Sequence, residues 1–240
     1  MDYDAELGRF DAPLRQAWAV RPGDRVLDVG CGGGRTTREA GRLAGPDGSA
    51  LGVDISAAAI ERAETTGNVA FRCADVQTDT FPSGGFDLVI SRFGTMFFAD
   101  PGAAFANLRR ALRPGGRLVM LVWQAAERNE WHQVIRGALG HATTDGPDPF
   151  SLGDPATVEE LLRTAGFGDI GIEEVAEPVY YGADPEAALD WVRQFACTAP
   201  FLRDERAMTR LREAFAAHRT GDGIWLGART WLVSARVPTT

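Results

Sequence analysis

The segment Val26–Gly34, which reads VLDVGCGGG, limits the possible folds more than any other part of the chain. An apolar run there ends in four glycines within five positions, and an acid, Asp28, stands just before them. Glycines allow tight turns and let other atoms approach the backbone closely. A plain strand-to-helix turn needs only one or two glycines, so this density indicates a loop that admits a ligand.

Short apolar segments alternate with helical patterns along the chain. Strands are predicted at Arg25–Gly30, Ser49–Asp54, Val69–Cys73, Phe86–Ser91, Arg117–Trp123, 169–176 and 228–237. Helices are predicted at 5–18, Arg35–Ala44, 57–64, Pro101–Leu112, 129–139 and 156–165, with two more within 183–217. Strands that are apolar on both faces and alternate with helices are typical of a parallel sheet covered by helices. The pattern therefore predicts an α/β fold.

The alternation breaks after Trp123, where regions rich in Gly, Pro and Asp appear. We expect one domain over residues 1–240, with two helical insertions that form a cap at about 124–153 and 177–226. The core of this domain is predicted at about 20–123, 154–176 and 227–237.

The composition limits the binding partners and the cellular compartment that we expect for this chain. The net charge is −8 and all 25 basic residues are arginines, an acidic balance that argues against binding to nucleic-acid backbones. Three cysteines at wide spacings (Cys31, Cys73, Cys197) and three dispersed histidines argue against disulfides or a protein-bound metal. No apolar run is long enough to span a bilayer, and the acidic start MDYDAELGRF lacks a signal-peptide layout. We expect a cytoplasmic monomer or homodimer without membrane or nucleic-acid partners.

Two ligand classes compete for the glycine loop. A dinucleotide would place its pyrophosphate at the helix N-terminus and requires G-x-G-x-x-G spacing. Counted from Gly30, the third glycine position holds Arg35, and counted from Gly32 it holds Thr37. Asp28 would repel a pyrophosphate, whereas it suits a ligand that carries an ammonium group. The loop therefore favours a cationic ligand without phosphate.

VLDVGCGGG resembles the first motif, D/E-x-G-x-G-x-G, of the class I S-adenosylmethionine-dependent methyltransferases. The resemblance implies a Rossmann-like, doubly wound sheet of seven mostly parallel strands, with an antiparallel last strand pair and helical cap insertions. It also implies S-adenosylmethionine as the cofactor. Asp28 would then face the methionine tail, and Gly30, Cys31 and Gly32 would line it.

Later positions match further motifs of this family in order and spacing. Asp54 ends the second predicted strand, where the family's acid holds both ribose hydroxyls, and a carboxylate suits this task because its two oxygens accept two donors. The resemblance places Ile55 on the adenine face, Asp75 at the adenine amino group and the Val76 backbone beside it. Taken singly, each of these acids also fits a turn or cap residue.

The segments FDLVISRFGTMFFADP and LRRALRPGGRLVMLVW resemble bacterial small-molecule methyltransferases similar to the ubiquinone and menaquinone C-methylases. This resemblance covers about residues 10–123 and implies that Ser91, Arg92 and Phe93 lie along the cofactor. Arg92 also fits two other roles, a pairing with an acidic substrate group or a salt bridge to a helix acid.

Candidate residues for the reaction follow the predicted strands or lie in the insertions. His132 fits a general base for a hydroxyl substrate, and it also fits an ordinary helix-surface residue. Met96, Trp123, Trp131 and Trp191 are candidates for a substrate pocket, although bulky apolar residues usually belong to the core. The predicted substrate is an apolar or aromatic small molecule.

The leading hypothesis is an S-adenosylmethionine-dependent methyltransferase that acts on a small molecule in specialised biosynthesis. One alternative is an enzyme of the same fold that uses the cofactor for cyclisation or decarboxylation. A non-catalytic binding protein and a dinucleotide oxidoreductase are two others. The sequence SRFG stands where nucleic-acid methyltransferases of exocyclic amines carry Asn/Asp-Pro-Pro-aromatic, which argues against such substrates. The acceptor atom stays open among O, N and C.

Overall fold

An eight-stranded sheet runs through the part of the chain that the structure describes. This computed structural model describes residues 3–140, 147–195, 197–198 and 200–239, so residues 141–146 of the first predicted insertion lie outside the described residues. The strands are β1 (Arg25–Val29), β2 (Ser49–Asp54), β3 (Val69–Cys73), β4 (Phe86–Arg92), β5 (Leu112–Trp123), β6 (Gly168–Gly182), β7 (Arg219–Thr220) and β8 (Gly223–Arg236).

The strand order is β3-β2-β1-β4-β5-β8-β6, and the two-residue β7 pairs with β8. Neighbours among β1 to β5 are parallel, whereas β8 is antiparallel to both β5 and β6. The predicted doubly wound, mostly parallel sheet of seven strands with an antiparallel last pair is confirmed, and β7 is an additional short strand.

The strand order reverses between β1 and β4. From β1 the chain proceeds outward to β2 and β3, and it then crosses to β4 and β5 on the other side. The register brings Asp28 of β1 level with Gly52 of β2 and Ile90 of β4. Ligands of open α/β sheets bind outside the carboxyl ends of strands at such a reversal, and the glycine loop begins there.

Helices surround the sheet, and short polar residues begin several of them. Ser56, Asp100, Asp154, Asp184 and Asp204 each accept a backbone N–H in the first helical turn, which stabilises helix starts. The α-helices of the described residues are α1 (Asp4–Leu7), α2 (Asp11–Trp18), α3 (Arg35–Ala44), α4 (Ala57–Ile60), α5 (Pro101–Ala111), α6 (Glu130–Ala138), α7 (Pro155–Thr164), α8 (Pro185–Val192) and α9 (Glu205–Ala217).

Two helices differ from the prediction in their continuity or length. The predicted helix 5–18 is interrupted by a 3₁₀ turn at Gly8–Phe10, because a glycine weakens the α-helix at that point. The predicted helix 57–64 ends at Ile60, ahead of the threonine pair and glycine at 65–67. β-Branched residues and glycine both disfavour a helix, which accounts for the early end.

The last two long strands extend further than the sequence indicates. β6 reaches Gly182 and β8 begins at Gly223, beyond the predicted 169–176 and 228–237, because the two strands pair along this whole length. Pro178 obscures the strand pattern in the sequence. It is tolerated because β6 lies at the edge of the sheet.

β5 also begins earlier than predicted. The segment PGG at 114–116, whose sequence predicts a turn, lies inside this strand, where Gly115 has a φ of +74°. The register between β4 and β5 shifts just there, between Phe86 and Leu88. The residues of this turn therefore form an irregular start of the strand.

The N-terminal helices bury an apolar stripe beneath them. Phe10, Leu14 and Trp18, spaced by four residues, are at most 2% exposed, as the predicted helical periodicity requires. Burial of a side chain of this size stabilises the fold by roughly 1.5–3 kcal/mol. None of the described helices is both long and apolar enough to cross a membrane.

The loop after β1 touches the loop after β4 through two glycines. A Cβ atom at Gly30 would lie 2.7 Å from Cα of Gly94, and a Cβ atom at Gly94 would lie 2.7 Å from the carbonyl oxygen of Val29. The Ser91 hydroxyl donates to that carbonyl at 2.8 Å and accepts the Gly94 N–H at 3.2 Å. The two loops are therefore fixed to each other.

We expect Gly30→Ala to lower the free energy of unfolding by roughly 3 kcal/mol, because the new methyl group overlaps Gly94 and the φ of +69° disfavours alanine. Gly33→Ala is the matched control, since a Cβ atom there meets nothing within 4 Å. It should change stability by less than about 1 kcal/mol. Urea denaturation of both variants measures the difference, and equal losses would contradict the close-approach explanation.

Candidate active site

The glycine loop is tied to β2 and leaves part of its backbone open. The N–H groups of Gly30 and Cys31 both donate to the carbonyl of Val53, at 2.8 and 3.1 Å. A Cβ atom added at Gly32 or Gly33 would meet no atom within 4 Å. Burial raises the pKa of the Cys31 thiol, and the nearby Asp28 adds to this, so the side chain stays protonated. The loop presents an accessible backbone surface at its middle.

Asp28 is held from one side and has an unused oxygen on the other. Its Oδ2 atom accepts the hydroxyls of Thr36 and Thr37, each at 2.6 Å, from the first turn of α3. Its Oδ1 atom is buried and has no hydrogen-bond partner among the described residues. Burial raises the pKa of Asp28, while the two threonines act to lower it. A buried acceptor without a partner is costly, so this oxygen suits a ligand that donates to it.

Asp54 is oriented by two backbone groups at the carboxyl end of β2. Its Oδ2 atom accepts the N–H of Gly32 and its Oδ1 atom accepts the N–H of Ser56, both at 2.9 Å. Each carboxylate oxygen can accept a second hydrogen bond. Ile55 next to it is 73% exposed, which is unusual for a large apolar side chain. A fixed carboxylate beside an exposed apolar side chain suits a sugar that carries a flat base.

Asp75 and Val76 follow β3, and their loop is attached to α5. Oδ1 of Asp75 accepts both the N–H and the side-chain amide of Gln77 at 2.9 Å. The Gln77 side chain in turn accepts the N–H of Asp100, and the carbonyl of buried Val76 accepts the amide of Asn107 at 2.7 Å. These bonds hold the loop at the same edge of the sheet as Asp54, since β2 and β3 are parallel neighbours.

The structure brings Ser91, Arg92 and Phe93 to the same edge but engages each side chain with protein groups. The Ser91 hydroxyl joins the two glycine loops. Phe93 has a φ of +60° and stacks on Trp123, with ring centroids 4.1 Å apart. Arg92 forms the salt bridges to helix acids that the sequence left as one of its possible roles.

Arg92 belongs to a network of four charged residues that joins the N-terminal helices to the sheet edge. Its guanidinium pairs with Asp4 and, at 2.8 Å, with Asp11. Arg35, at the start of α3, pairs with Asp11 at 2.6 Å and with Asp4 at 3.6 Å. We call these four residues the charged network. It holds α1 and α2 across the ends of β1 and β4.

Aromatic rings from five parts of the chain meet beside this edge. Trp123 packs edge-on against Phe10 and lies 5.4 Å from the ring of Trp131, which stacks on Phe150. The rings of Phe10, Phe93, Trp123, Trp131 and Phe150 are called the aromatic cluster below. Met96 is buried and contacts the N–H of Trp123 through its sulfur at 3.5 Å. Three of the four predicted substrate residues therefore lie together.

His132 packs against the aromatic cluster, whereas Trp191 packs against a different set of rings. The His132 ring packs edge-on against Phe150 at 4.7 Å, and its Nδ1 atom is buried without a partner among the described residues. Burial lowers the pKa of His132, and Arg136 adds to this, so the ring is neutral near pH 7. Trp191 lies on α8, where it contacts Tyr3 and Phe195 rather than the aromatic cluster.

The structure adds one buried acid that the sequence analysis does not select. Glu6 on α1 is 8% exposed, and burial raises its pKa from 4.5 to about 7. Tyr181 and Trp191 lie close enough to lower that pKa in part. The sequence does contain a signal for the burial of Glu6, because this residue stands four positions before Phe10 on the same helical stripe as Leu14.

Known proteins are similar to this chain in sequence. A family model described as a methyltransferase domain matches residues 26–116. Nocamycin O-methyltransferase of Saccharothrix syringae is 33% identical over 217 residues, which cover 79% of this chain and 76% of the relative. The chain belongs to the class I S-adenosylmethionine-dependent methyltransferases.

A second relative and a solved structure agree with the assignment, the first in sequence and the second in fold. A ubiquinone/menaquinone biosynthesis C-methyltransferase of Teredinibacter turnerae is 38% identical over 170 residues, 62% of this chain and 68% of the relative. The YcgJ protein of Bacillus subtilis has the same fold, with a TM-score of 0.64, 18% identity, and coverage of 95% of this chain and 97% of its own.

The residues present fit the cofactor of this methyltransferase family, S-adenosylmethionine. The unpartnered Oδ1 atom of Asp28 suits its ammonium group, and the open backbone at positions 32 and 33 leaves room for a ligand. The carboxylate of Asp54 and the exposed Ile55 suit a ribose and a base. The structural features therefore agree with the family assignment.

The charged network should contribute strongly to the stability of this methyltransferase. Arg92 is 12% exposed, and its removal leaves Asp4 and Asp11 without that partner, so Arg92→Met should cost roughly 3 kcal/mol of unfolding free energy. Arg15→Met is the control, because Arg15 pairs with Glu39 on the surface and is 45% exposed. That change should cost less than about 1 kcal/mol. Equal losses in urea denaturation would argue against a structural role for Arg92.

Glu6 should make the stability of the protein depend on pH. Between the unfolded pKa of 4.5 and the folded pKa of about 7, only the folded state keeps the proton. The free energy of unfolding should therefore fall as the pH rises through this window, by up to roughly 3 kcal/mol. Glu6→Gln removes this dependence, whereas the exposed Glu213→Gln keeps it. Denaturation curves at about pH 5 and about pH 8 measure the unfolding free energy at each pH. If Glu6→Gln lost as much stability between these two pH values as wild type does, the prediction would be refuted.

Proposed function

We propose that the chain transfers a methyl group to a small apolar or aromatic acceptor in a biosynthetic reaction. The observation that carries this proposal is the aromatic cluster at the proposed cofactor edge, where Phe93, directly after β4, stacks on Trp123, the last residue of β5. The two curated relatives are named as methyltransferases of nocamycin and of ubiquinone or menaquinone biosynthesis, which are small molecules.

The proposed cofactor site lies along the carboxyl ends of β1 to β4. Oδ1 of Asp28 receives the ammonium group of the tail, and the backbone at Gly30, Cys31 and Gly32 lines it. Asp54 accepts both ribose hydroxyls with the free acceptor positions of its two oxygens. The fixed orientation of that carboxylate, held by two N–H groups, supports this role.

The base of the cofactor is proposed to lie on Ile55, between Asp75 and the backbone of Val76. The exposure of Ile55 and the attachment of the Asp75 loop to α5 support this position. Ser91 and Arg92 are proposed to shape the site through the loops and helices that they hold, and Phe93 through its stacked ring.

Positioning carries most of the proposed mechanism. When bound, S-adenosylmethionine would supply an electrophilic methyl group, and its sulfur would keep the electron pair of the broken sulfur–carbon bond. The aromatic cluster and Met96 hold the acceptor and exclude water, which favours a displacement between aligned reactants. Trp131 forms one side of this cluster between Trp123 and Phe150. Trp191, which contacts Tyr3 and Phe195 instead, is not assigned to it.

We propose a packing role for His132. Its ring is half-buried against Phe150 and Trp131, so it stiffens the aromatic cluster from behind. Its lowered pKa leaves it neutral and able to accept a proton, but its edge-on contact favours the role of a wall residue.

We also propose that the enzyme acts in the cytoplasm, as a monomer or homodimer, on a free small molecule rather than on nucleic acid. The net charge of −8 supports the last point, because nucleic-acid enzymes usually present a basic surface.

The activity is tested with S-adenosylmethionine that carries a deuterated methyl group and a panel of phenols and quinols. Mass spectrometry should detect a product that gains one labelled methyl group. A product formed without this mass increase would favour the alternative of a non-methylating enzyme on the same fold.

Asp54→Ala should weaken cofactor binding at least tenfold, because the variant loses two charge-assisted hydrogen bonds of about 1.5 kcal/mol or more each. Calorimetric titration with S-adenosylhomocysteine measures the change. Asp47→Ala, in the exposed turn after α3, is the control and should bind normally. Near-normal affinity in Asp54→Ala would count against the proposed ribose site.

A further inference from the structure

A carboxylate is buried where the N-terminal segment meets the cap. Glu6 is 8% exposed on α1, a helix that the charged network attaches to the sheet edge. The next turn of the same segment carries Phe10, whose ring packs edge-on against both Phe93 and Trp123 of the aromatic cluster. Glu6 therefore stands on a segment that contacts α8 through Tyr3 and the aromatic cluster through Phe10.

Two further polar groups meet this carboxylate from other elements. Tyr181, at the end of β6, is 2% exposed, and Trp191 comes from α8. The Tyr181 hydroxyl and Nε1 of Trp191 both act on Glu6 as donors that lower its pKa, but neither forms a hydrogen bond of ordinary geometry among the described residues. We call these three residues the Glu6 cluster. Buried donors without partners are rare in proteins, and their convergence on one acid suits a polar ligand.

The titratable groups around Glu6 have raised pKa values. Burial raises the pKa of Glu6 to about 7. Tyr3, from the same segment, and Tyr181 both have pKa values raised by burial and by the charge of Glu6, and Cys197 acts on both tyrosines in the same direction. The tyrosines and the cysteine therefore stay neutral near pH 7, and Glu6 is the group of this set that changes charge there.

We propose that the Glu6 cluster is the acceptor site of the methyltransferase, that it recognises a hydroxyl group, and that Glu6 takes the proton of that hydroxyl. This inference rests on the proposed function and fixes its acceptor atom as oxygen. Tyr181 and Trp191 supply donors to other polar atoms of the same acceptor. The aromatic cluster, one helical turn away, holds its apolar body.

The proton balance of the step is simple. The acceptor O–H bond breaks, its proton passes to a carboxylate oxygen of Glu6, and the oxygen electron pair forms the new bond to the transferred methyl group. Glu6 becomes neutral as the acceptor becomes an ether, and the proton then returns to solvent. Activity should therefore rise with pH through the pKa of Glu6, and this rise should disappear in Glu6→Gln.

The site is probed without turnover by 4-nitrophenol, whose phenolate is yellow and whose neutral form is colourless. The protein is saturated with S-adenosylhomocysteine at a pH of about 8, where Glu6 is ionised. Because a carboxylate and a phenolate repel each other, the wild-type site should bind the neutral phenol and remove the colour. A purely structural Glu6 would not change the protonation of the probe.

Glu6→Gln should bind the probe at least tenfold more weakly and without loss of colour, since it lacks the charged acceptor. Tyr181→Phe keeps the carboxylate and should still remove the colour, at lower affinity. Glu213→Gln, an exposed change on α9, should behave as wild type. Circular dichroism spectra and melting curves of all three variants show that each is folded before titration.

The outcomes separate the two proposals. Loss of colour in wild type and Tyr181→Phe but not in Glu6→Gln supports the acceptor site. Equal behaviour of wild type and Glu6→Gln overturns the acceptor site, and so does a failure of the probe to bind wild type. In either case, normal binding of S-adenosylhomocysteine leaves the proposed function standing. A wild-type protein that fails to bind S-adenosylhomocysteine overturns the proposed function itself.

Discussion

The close approach of two backbone loops determines the shape of this enzyme. Gly30 and Gly94 come so near that neither can carry a side chain without displacing the other loop. Ser91 then holds the pair together through the carbonyl of Val29 and the N–H of Gly94. Because this contact lies where the strand order reverses, it brings the ends of β1, β2 and β4 to one place. The carboxylates of Asp28 and Asp54 and the aromatic cluster all belong to the strand ends that this contact brings together.

The buried and half-buried acids of the protein differ in what surrounds them. Asp54 accepts two backbone N–H groups, which fix its direction. Asp28 accepts two threonine hydroxyls through one oxygen and leaves the other buried. Glu6 is buried beside donors that complete no hydrogen bonds, so burial dominates and its pKa rises to about 7. The same chemical group is therefore a fixed acceptor, an acid with one unused buried oxygen or an acid with a raised pKa, according to its neighbours.

Much of the fold could be predicted from the sequence because its signals are local. Glycine density, apolar strands and cap residues such as Ser56 place β1 to β4 and the helix starts within a few residues. The long β6–β8 ladder could not be predicted, because its stability comes from pairing between residues about fifty positions apart and Pro178 hides its pattern. Its length became visible only once the two strands were placed side by side.

The site was predictable to a similar extent. The motif residues could be selected one by one, since Asp28 lies in the first predicted strand, Asp54 ends the second and Asp75 follows the third. The threonines that hold Asp28 and the pairing of Arg92 with Asp4 and Asp11 depend on tertiary contacts that no spacing reveals. Glu6 is the clearest case, because an acid on an apolar stripe is informative only when its burial is known.

The two ends of the described chain lie at opposite edges of the sheet. Tyr3 packs against Trp191 and Phe195 of the cap, whereas Arg236 pairs with Arg117 at the amino-terminal side of β5. A purification tag or fusion partner joined ahead of Tyr3 would therefore crowd α8 and the side of the candidate site. The same addition after β8 would sit on the remote side, which makes that end the natural place for labels, surface attachment or linked enzymes.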